Sequence, residues 1–124
     1  MAERPNDEPS DAVRDGFTVN HHVIDGVAVV APNREVDMLT APLLSEAIAA
    51  ALAGSPRGLI VDLSDVTFFA SAGMTVLVKA KEQVGDAFAV VADGPATSRP
   101  LTLVGLDDLL SVRPTLEDAL RDLP

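Results

Sequence analysis

Ser71 is the residue of this chain best placed to carry chemistry. It stands in the run Phe68-Phe69-Ala70-Ser71-Ala72-Gly73-Met74, between the apolar strand pattern Leu59-Ile60-Val61-Asp62-Leu63 and an apolar helical pattern. That context puts a hydroxyl where a helix begins, with small residues on both sides. A phosphate attached there would meet unpaired backbone N–H groups and the positive end of the helix dipole. The plainer structural role is a helix N-cap, worth about 1 kcal/mol. Gly73 sharpens the choice. Glycine inside a first helical turn costs about 1 kcal/mol relative to alanine, so it serves either close approach of a partner or tight packing on the sheet. The arrangement suits a switchable contact surface better than a catalytic centre.

The rest of the chain offers little to a catalyst. A serine nucleophile needs a base, and the two histidines, His21 and His22, both precede Ser71 on a predicted strand. Adjacent strand residues point to opposite faces, so the pair does not chelate one metal. Asp62 ends a strand, as magnesium ligands of α/β proteins do, but a lone carboxylate there fits a turn cap over Ser64 and Asp65. The eight glycines form neither G-x-G-x-x-G nor a phosphate loop. Sequence reasoning therefore expects no enzyme, no metal and no cofactor.

Composition narrows the partners. The 124 residues make one domain, 48% apolar with four aromatics, so Val, Leu, Ile and Ala must build the core. There is no cysteine, which excludes disulfides and fits a reducing compartment. The N-terminus lacks the apolar core of a signal peptide, and the longest apolar run, Ala47 to Ala53, is too short to span a bilayer. From these features the chain is expected in the cytoplasm. The net charge is -10; residues 1–15 carry five acids and two bases, which leaves -7 on the remainder. Such a body is repelled by nucleic acid and anionic membrane, and is drawn to a basic protein surface.

The elements that must position Ser71 follow from periodicity. Residues 1–15 are polar and aperiodic, read as a disordered acidic tail, and 16–124 as the domain. Phe17, Val19, His21 and Val23 alternate on one face of a strand; Asp25-Gly26 then makes a tight hairpin turn to Val27–Ala31. Pro32 to Asp37 reads as a loop. Thr40-Ala41-Pro42 opens a helix with Thr40 as its cap, and Leu44, Ala47, Ile48, Ala51 and Leu52 line one face. Gly58–Leu63 is a strand covered on both sides. A helix from Ser71 to about Gln83 turns Met74, Leu77 and Val78 inward. Ala87–Ala92 is a further strand, followed by a helix over Ser98–Val104, an extended segment over Leu109–Val112, and a last helix over Thr115–Leu123. The order β-β-α-β-α-β-α-β-α predicts an α/β domain, a small mixed sheet of four to five strands with about four helices.

Four segments in order resemble the STAS domain of bacterial anti-sigma factor antagonists, across residues 17–123. Arg34-Glu35-Val36-Asp37 with Thr40-Ala41-Pro42 is similar to the family's Gly-Glu-Leu/Ile-Asp loop and first helix. Val61-Asp62-Leu63-Ser64-Asp65-Val66-Thr67-Phe68 resembles its central strand and exit turn. Ala70-Ser71-Ala72-Gly73-Met74 matches its Asp-Ser-Ser/Ala-Gly-Leu motif. Leu103-Val104-Gly105-Leu106-Asp107 and Pro114-Thr115-Leu116-Glu117-Asp118-Ala119-Leu120 match its C-terminal segments. Two positions depart from the pattern: Ala70 replaces the aspartate before the serine, and Arg34 replaces the loop glycine.

The resemblance implies a regulator that binds an anti-sigma factor, itself a serine kinase of the sigma-regulating ATPase type, and so releases a sigma factor. Phosphorylation of Ser71 would break the complex. Arg34, Asp37, Ala70, Ser71, Ala72, Gly73 and Met74 would face the partner, and Arg34 supplies a cation able to pair with a phosphate. An alternative within the family is a subunit docked permanently in a transporter or stress-signalling complex, without a phosphorylation cycle. Outside it stands a nucleotide binder that uses the helix N-terminus as a phosphate site.

Overall fold

The computed structural model describes residues 16–124; the predicted tail, 1–15, lies outside them. The chain runs β1 (Val19–Ile24), β2 (Val27–Val36), α1 (Ala41–Leu52), β3 (Gly58–Asp62), β4 (Asp65–Phe69), α2 (Ser71–Val84), β5 (Phe88–Val91), α3 (Ser98–Leu103), β6 (Val112–Arg113) and α4 (Leu116–Asp122). β1 and β2 form the antiparallel hairpin, with Ile24 opposite Val27. Asp25 and Gly26 both have positive φ, 52° and 82°, the geometry of a two-residue turn whose twist matches the strands. From β2 onward every pairing is parallel, in the order β1-β2-β3-β5-β6 with β4 also on β2.

Period-two alternation divides the strands between two cores. Ala28, Val30, Leu59, Val61, Phe88 and Val90 face the larger one, with Leu44 and Ile48 of α1 and Leu77 of α2; Phe17 and Leu101 also belong to it. Val27, Val29, Ile60, Ala89 and Val91 face the other, with Ala119 of α4. The sheet is thus covered on both sides, which is why its central strands read as unbroken apolar runs. Arg113 reaches Asp122 at 2.8 Å and ties β6 to the end of α4. This hydrogen bond, with Arg121 assisting, holds the exposed Asp122 carboxyl below its ordinary range.

Four expectations are corrected. The sheet has six strands rather than four or five. The predicted loop Pro32–Asp37 is mostly strand, because β2 runs ten residues and takes two partners in succession, β3 along Val27–Val30 and β4 along Asn33–Val36. Pro32 hid this. Its missing N–H falls in the gap between the two partners, where no ladder bond is lost. The stretch Val61 to Phe68, matched to the family's central strand and exit turn, holds the start of a second strand, since β4 runs over Asp65–Phe69. Finally, the extended segment at Leu109–Val112 shrinks to a two-residue strand at Val112–Arg113, after a turn in which Leu110 is buried.

Candidate functional site

The Ser71 end of the molecule is built where β2 and β4 finish side by side. Val36 pairs with Phe69, and the backbone N–H of Ala70 donates to the carbonyl of Val36 at 2.8 Å. That bond joins the residue before Ser71 to the residue before Asp37. The two segments singled out from sequence are therefore neighbours, the thirty-three residues between Val36 and Ala70 folding away and returning.

Asp37 and Thr40 form a reciprocal cap. One carboxylate oxygen of Asp37 accepts from the N–H groups of Leu39 at 2.9 Å and Thr40 at 3.0 Å. In return the Thr40 hydroxyl accepts from the Asp37 N–H at 2.9 Å and donates to the Glu35 carbonyl at 2.7 Å. This is a capping-box arrangement with Asp37 in the capping role. Thr40, expected to cap α1, has helical dihedrals and makes no side-chain cap bond to the helix. Its hydroxyl works backward instead, and it is buried. The spacing Asp-x-x-Thr before a helix carried that signal. Asp37 thus organises the loop as well as occupying it, and Met38 and Leu39 between the two partners are thrown outward, 78% and 59% exposed.

Ser71 is the first residue of α2, not its cap. The cap position belongs to Ala70, which is extended at φ -95°, ψ 171° and has no side-chain bond to give. Hydrogen bonding within the helix begins with Gly73 N–H donating to the Ala70 carbonyl at 2.9 Å. The N–H groups of Ser71 and Ala72 have no partner among the described residues, and neither has the Ser71 hydroxyl. The side chain is exposed. One turn on, Thr75 donates its hydroxyl to the Ser71 carbonyl at 3.3 Å.

The remaining sequence candidates divide. Ala70, Ala72 and Met74 are half-buried, Met74 packing against the larger core. Gly73 is buried, and the space that its missing side chain leaves is filled. A Cβ there would stand 2.6 Å from Phe69 Cε1 and 2.8 Å from Val36 Cγ1. Arg34 is exposed with φ 58°, at the point where β2 slips one residue in register against β4. A left-handed bulge position favours glycine, the residue that the resemblance expects there. Its guanidinium lies over Gly16, so that a Cβ on Gly16 would meet Nε at 2.8 Å. Asp62 caps the turn as expected through Ser64, accepting from its N–H at 3.0 Å and from its hydroxyl, but not through Asp65. His21 and His22 are both exposed on β1, at the edge of the sheet. Phe68 of β4, in register with Glu35 and 52% exposed, was not singled out by the sequence.

An aspartate in place of Ala70 has a physical use in this geometry. At an extended cap position its carboxylate accepts from the second or third helical N–H, here Ala72 or Gly73. Ala70→Asp is therefore expected to raise stability by about 1 kcal/mol, read as a shifted urea midpoint at unchanged slope. An equal or lower midpoint would show that the carboxylate does not reach those donors.

Among known proteins, the family model described as STAS domain matches residues 18–119. The anti-sigma-F factor antagonist RsfB of Mycobacterium tuberculosis is 42% identical over 108 residues, 86% of this chain and 88% of that protein. A crystal structure of an anti-sigma factor antagonist from Mycobacterium paratuberculosis superposes with a TM-score of 0.82 at 43% identity, covering 92% of this chain and 97% of that one. The anti-sigma factor antagonist SpoIIAA in its unphosphorylated form shares the fold, with a TM-score of 0.62 at 16% identity over 86% of this chain and 94% of its own.

Proposed function

The chain belongs to the STAS-domain family, and from that membership we propose that it is an anti-sigma factor antagonist switched at Ser71. In its unphosphorylated form it binds an anti-sigma factor across the surface formed by the Asp37 loop and the start of α2, and so frees a sigma factor. The anti-sigma factor is a serine kinase, and the phosphate it places on Ser71 breaks the complex.

The observation that carries this reading is the state of Ser71: an exposed hydroxyl at the first position of a fourteen-residue helix, with the adjacent N–H groups unpaired among the described residues. A phosphate there is stabilised by the helix N-terminus in the free domain. The same phosphate, with about -1.5 to -2 charges, would have to shed water against a bound partner. The switch therefore acts on the complex and spares the fold.

The permanent-subunit reading rests on Ala70, which removes a carboxylate from beside the acceptor hydroxyl. One experiment separates the two. Purified anti-sigma factors of the source organism are incubated with the protein and ATP, and the products are read by intact mass and peptide mapping. One added phosphate at Ser71, absent from Ser71→Ala, is the expected result. A stable complex that persists in ATP without a phosphate would establish permanent docking instead.

A further inference from the structure

The surface around Ser71 carries a polar switch but, in the residues read from sequence, little apolar area for a partner to bury. Ser71 and Asp37 are polar, Gly73 is buried, and Met74 is committed to the core. Met38 and Leu39 differ. They are large apolar side chains, 78% and 59% exposed, on a loop held by hydrogen bonds among Glu35, Asp37, Leu39 and Thr40. A rigid loop that projects two apolar residues loses little conformational entropy when they are buried by a partner, which is the property of a binding anchor. Exposed apolar groups on a flexible strap would not have it.

We propose that Met38 and Leu39 are the apolar anchor through which this chain recognises its anti-sigma factor, and that Asp37 is a positioning residue that holds them out. The proposal rests on the reading of the Ser71 surface as the partner face. The occupant is a protein cleft with an apolar floor and a cationic rim. The floor follows from the side chains themselves; the rim follows from the acids about the anchor. Glu35, exposed near the end of β2, and Asp37, just beyond that strand, precede it in the chain. The domain outside the tail carries -7, so a rim of Lys or Arg is favoured at long range as well as in contact. The anchor is continuous with the switch, because Ala70 is bonded to Val36, one residue before Asp37. A phosphate on Ser71 and the apolar anchor therefore act on one partner surface.

A second exposed apolar group supplies the control. Leu103 and Val104, 73% and 58% exposed at the end of α3, are a comparably exposed apolar pair away from the Ser71 surface. Three double or single variants of the full chain are titrated by calorimetry into the anti-sigma factor that wild type binds: Met38→Ser/Leu39→Ser, Leu103→Ser/Val104→Ser, and Ser71→Glu. The anchor variant is expected to lose roughly 30-fold or more in affinity, the level that marks a hot spot, with a melting temperature within a degree or two of wild type. The α3 variant is expected to bind as wild type does. Loss of binding in Ser71→Glu with none in the anchor variant would overturn the anchor and leave the proposed function standing. Loss in the α3 variant alone would move recognition to α3. A wild-type chain that binds no anti-sigma factor would overturn both readings together. Asp37→Asn keeps the cap's acceptor oxygen, so a positioning role predicts affinity near wild type for Asp37→Asn and a loss for Asp37→Ala; equal losses in both would mean that the charge itself contacts the partner.

Discussion

Ser71→Glu is expected to weaken binding to the anti-sigma factor by tenfold or more, about 1.4 kcal/mol, with the domain still folded. Ser71 is exposed at the first position of α2. A carboxylate there sits against the positive end of the helix, an interaction worth about 0.3–1 kcal/mol, so the free protein loses no stability. The bound state is different. A partner seated on the surface between Ala70, Ala72 and the Asp37 loop must strip water from the new charge. Ser71→Ala is the complement: binding is retained and control by phosphate is lost. Calorimetry with both variants checks the pair. An affinity for Ser71→Glu equal to wild type would remove Ser71 from the interface and with it the proposed switch.

The second large effect is expected from Gly73→Val, a loss of about 3 kcal/mol or more in folding stability. The Cβ alone would stand 2.6 Å from the ring of Phe69 and 2.8 Å from Val36 Cγ1. Both neighbours are core residues, 5% and 0% exposed, and cannot swing into solvent. Valine adds two more carbons at the same point, while its better helix propensity returns under 1 kcal/mol. Against a total of about 5–15 kcal/mol for a domain of this size, the change is severe. Gly73→Ala is expected to cost about 1–2 kcal/mol, and Phe69→Leu should recover part of it by clearing the ring. Denaturant titrations of the three variants measure this. Wild-type stability in Gly73→Val would mean that α2 lifts off the sheet freely, and the glycine would then serve a partner's approach.

Much of the molecule was legible in the chain because local chemistry dictated it. Asp25-Gly26 flanked by alternating residues names a tight hairpin, and both residues take the positive φ that the turn requires. The spacing of Leu44, Ile48 and Ala51 specifies the buried stripe of α1, and all three are buried. Leu59–Val61 and Val90–Val91 read as strands covered on both sides, since alternation is lost when both faces are apolar, and α1 with α2 on one side and α4 on the other supply the cover. The run around Ser71 marked a helix start, and its resemblance to the STAS pattern agreed with the family match over residues 18–119.

Other features depended on contacts between segments far apart in sequence, and no local pattern encodes those. β4 pairs where it does because the last four residues of β2 extend beyond β3 and need a partner; the resemblance placed an exit turn in this stretch. Ala70 rather than Ser71 occupies the cap because the bond from Ala70 N–H to Val36 keeps that residue extended, and helical geometry starts one residue later. Thr40 gives up capping α1 because Asp37 reaches its N–H first and the Glu35 carbonyl takes its hydroxyl. The glycine at position 73 was visible in the sequence, but its reason was not. It took the meeting of β2, β4 and α2 to put Val36 and Phe69 where a side chain would have stood. The residue types at the site were thus readable from the chain, while their roles were assigned by burial and by hydrogen-bond competition, which exist only once distant segments are brought together.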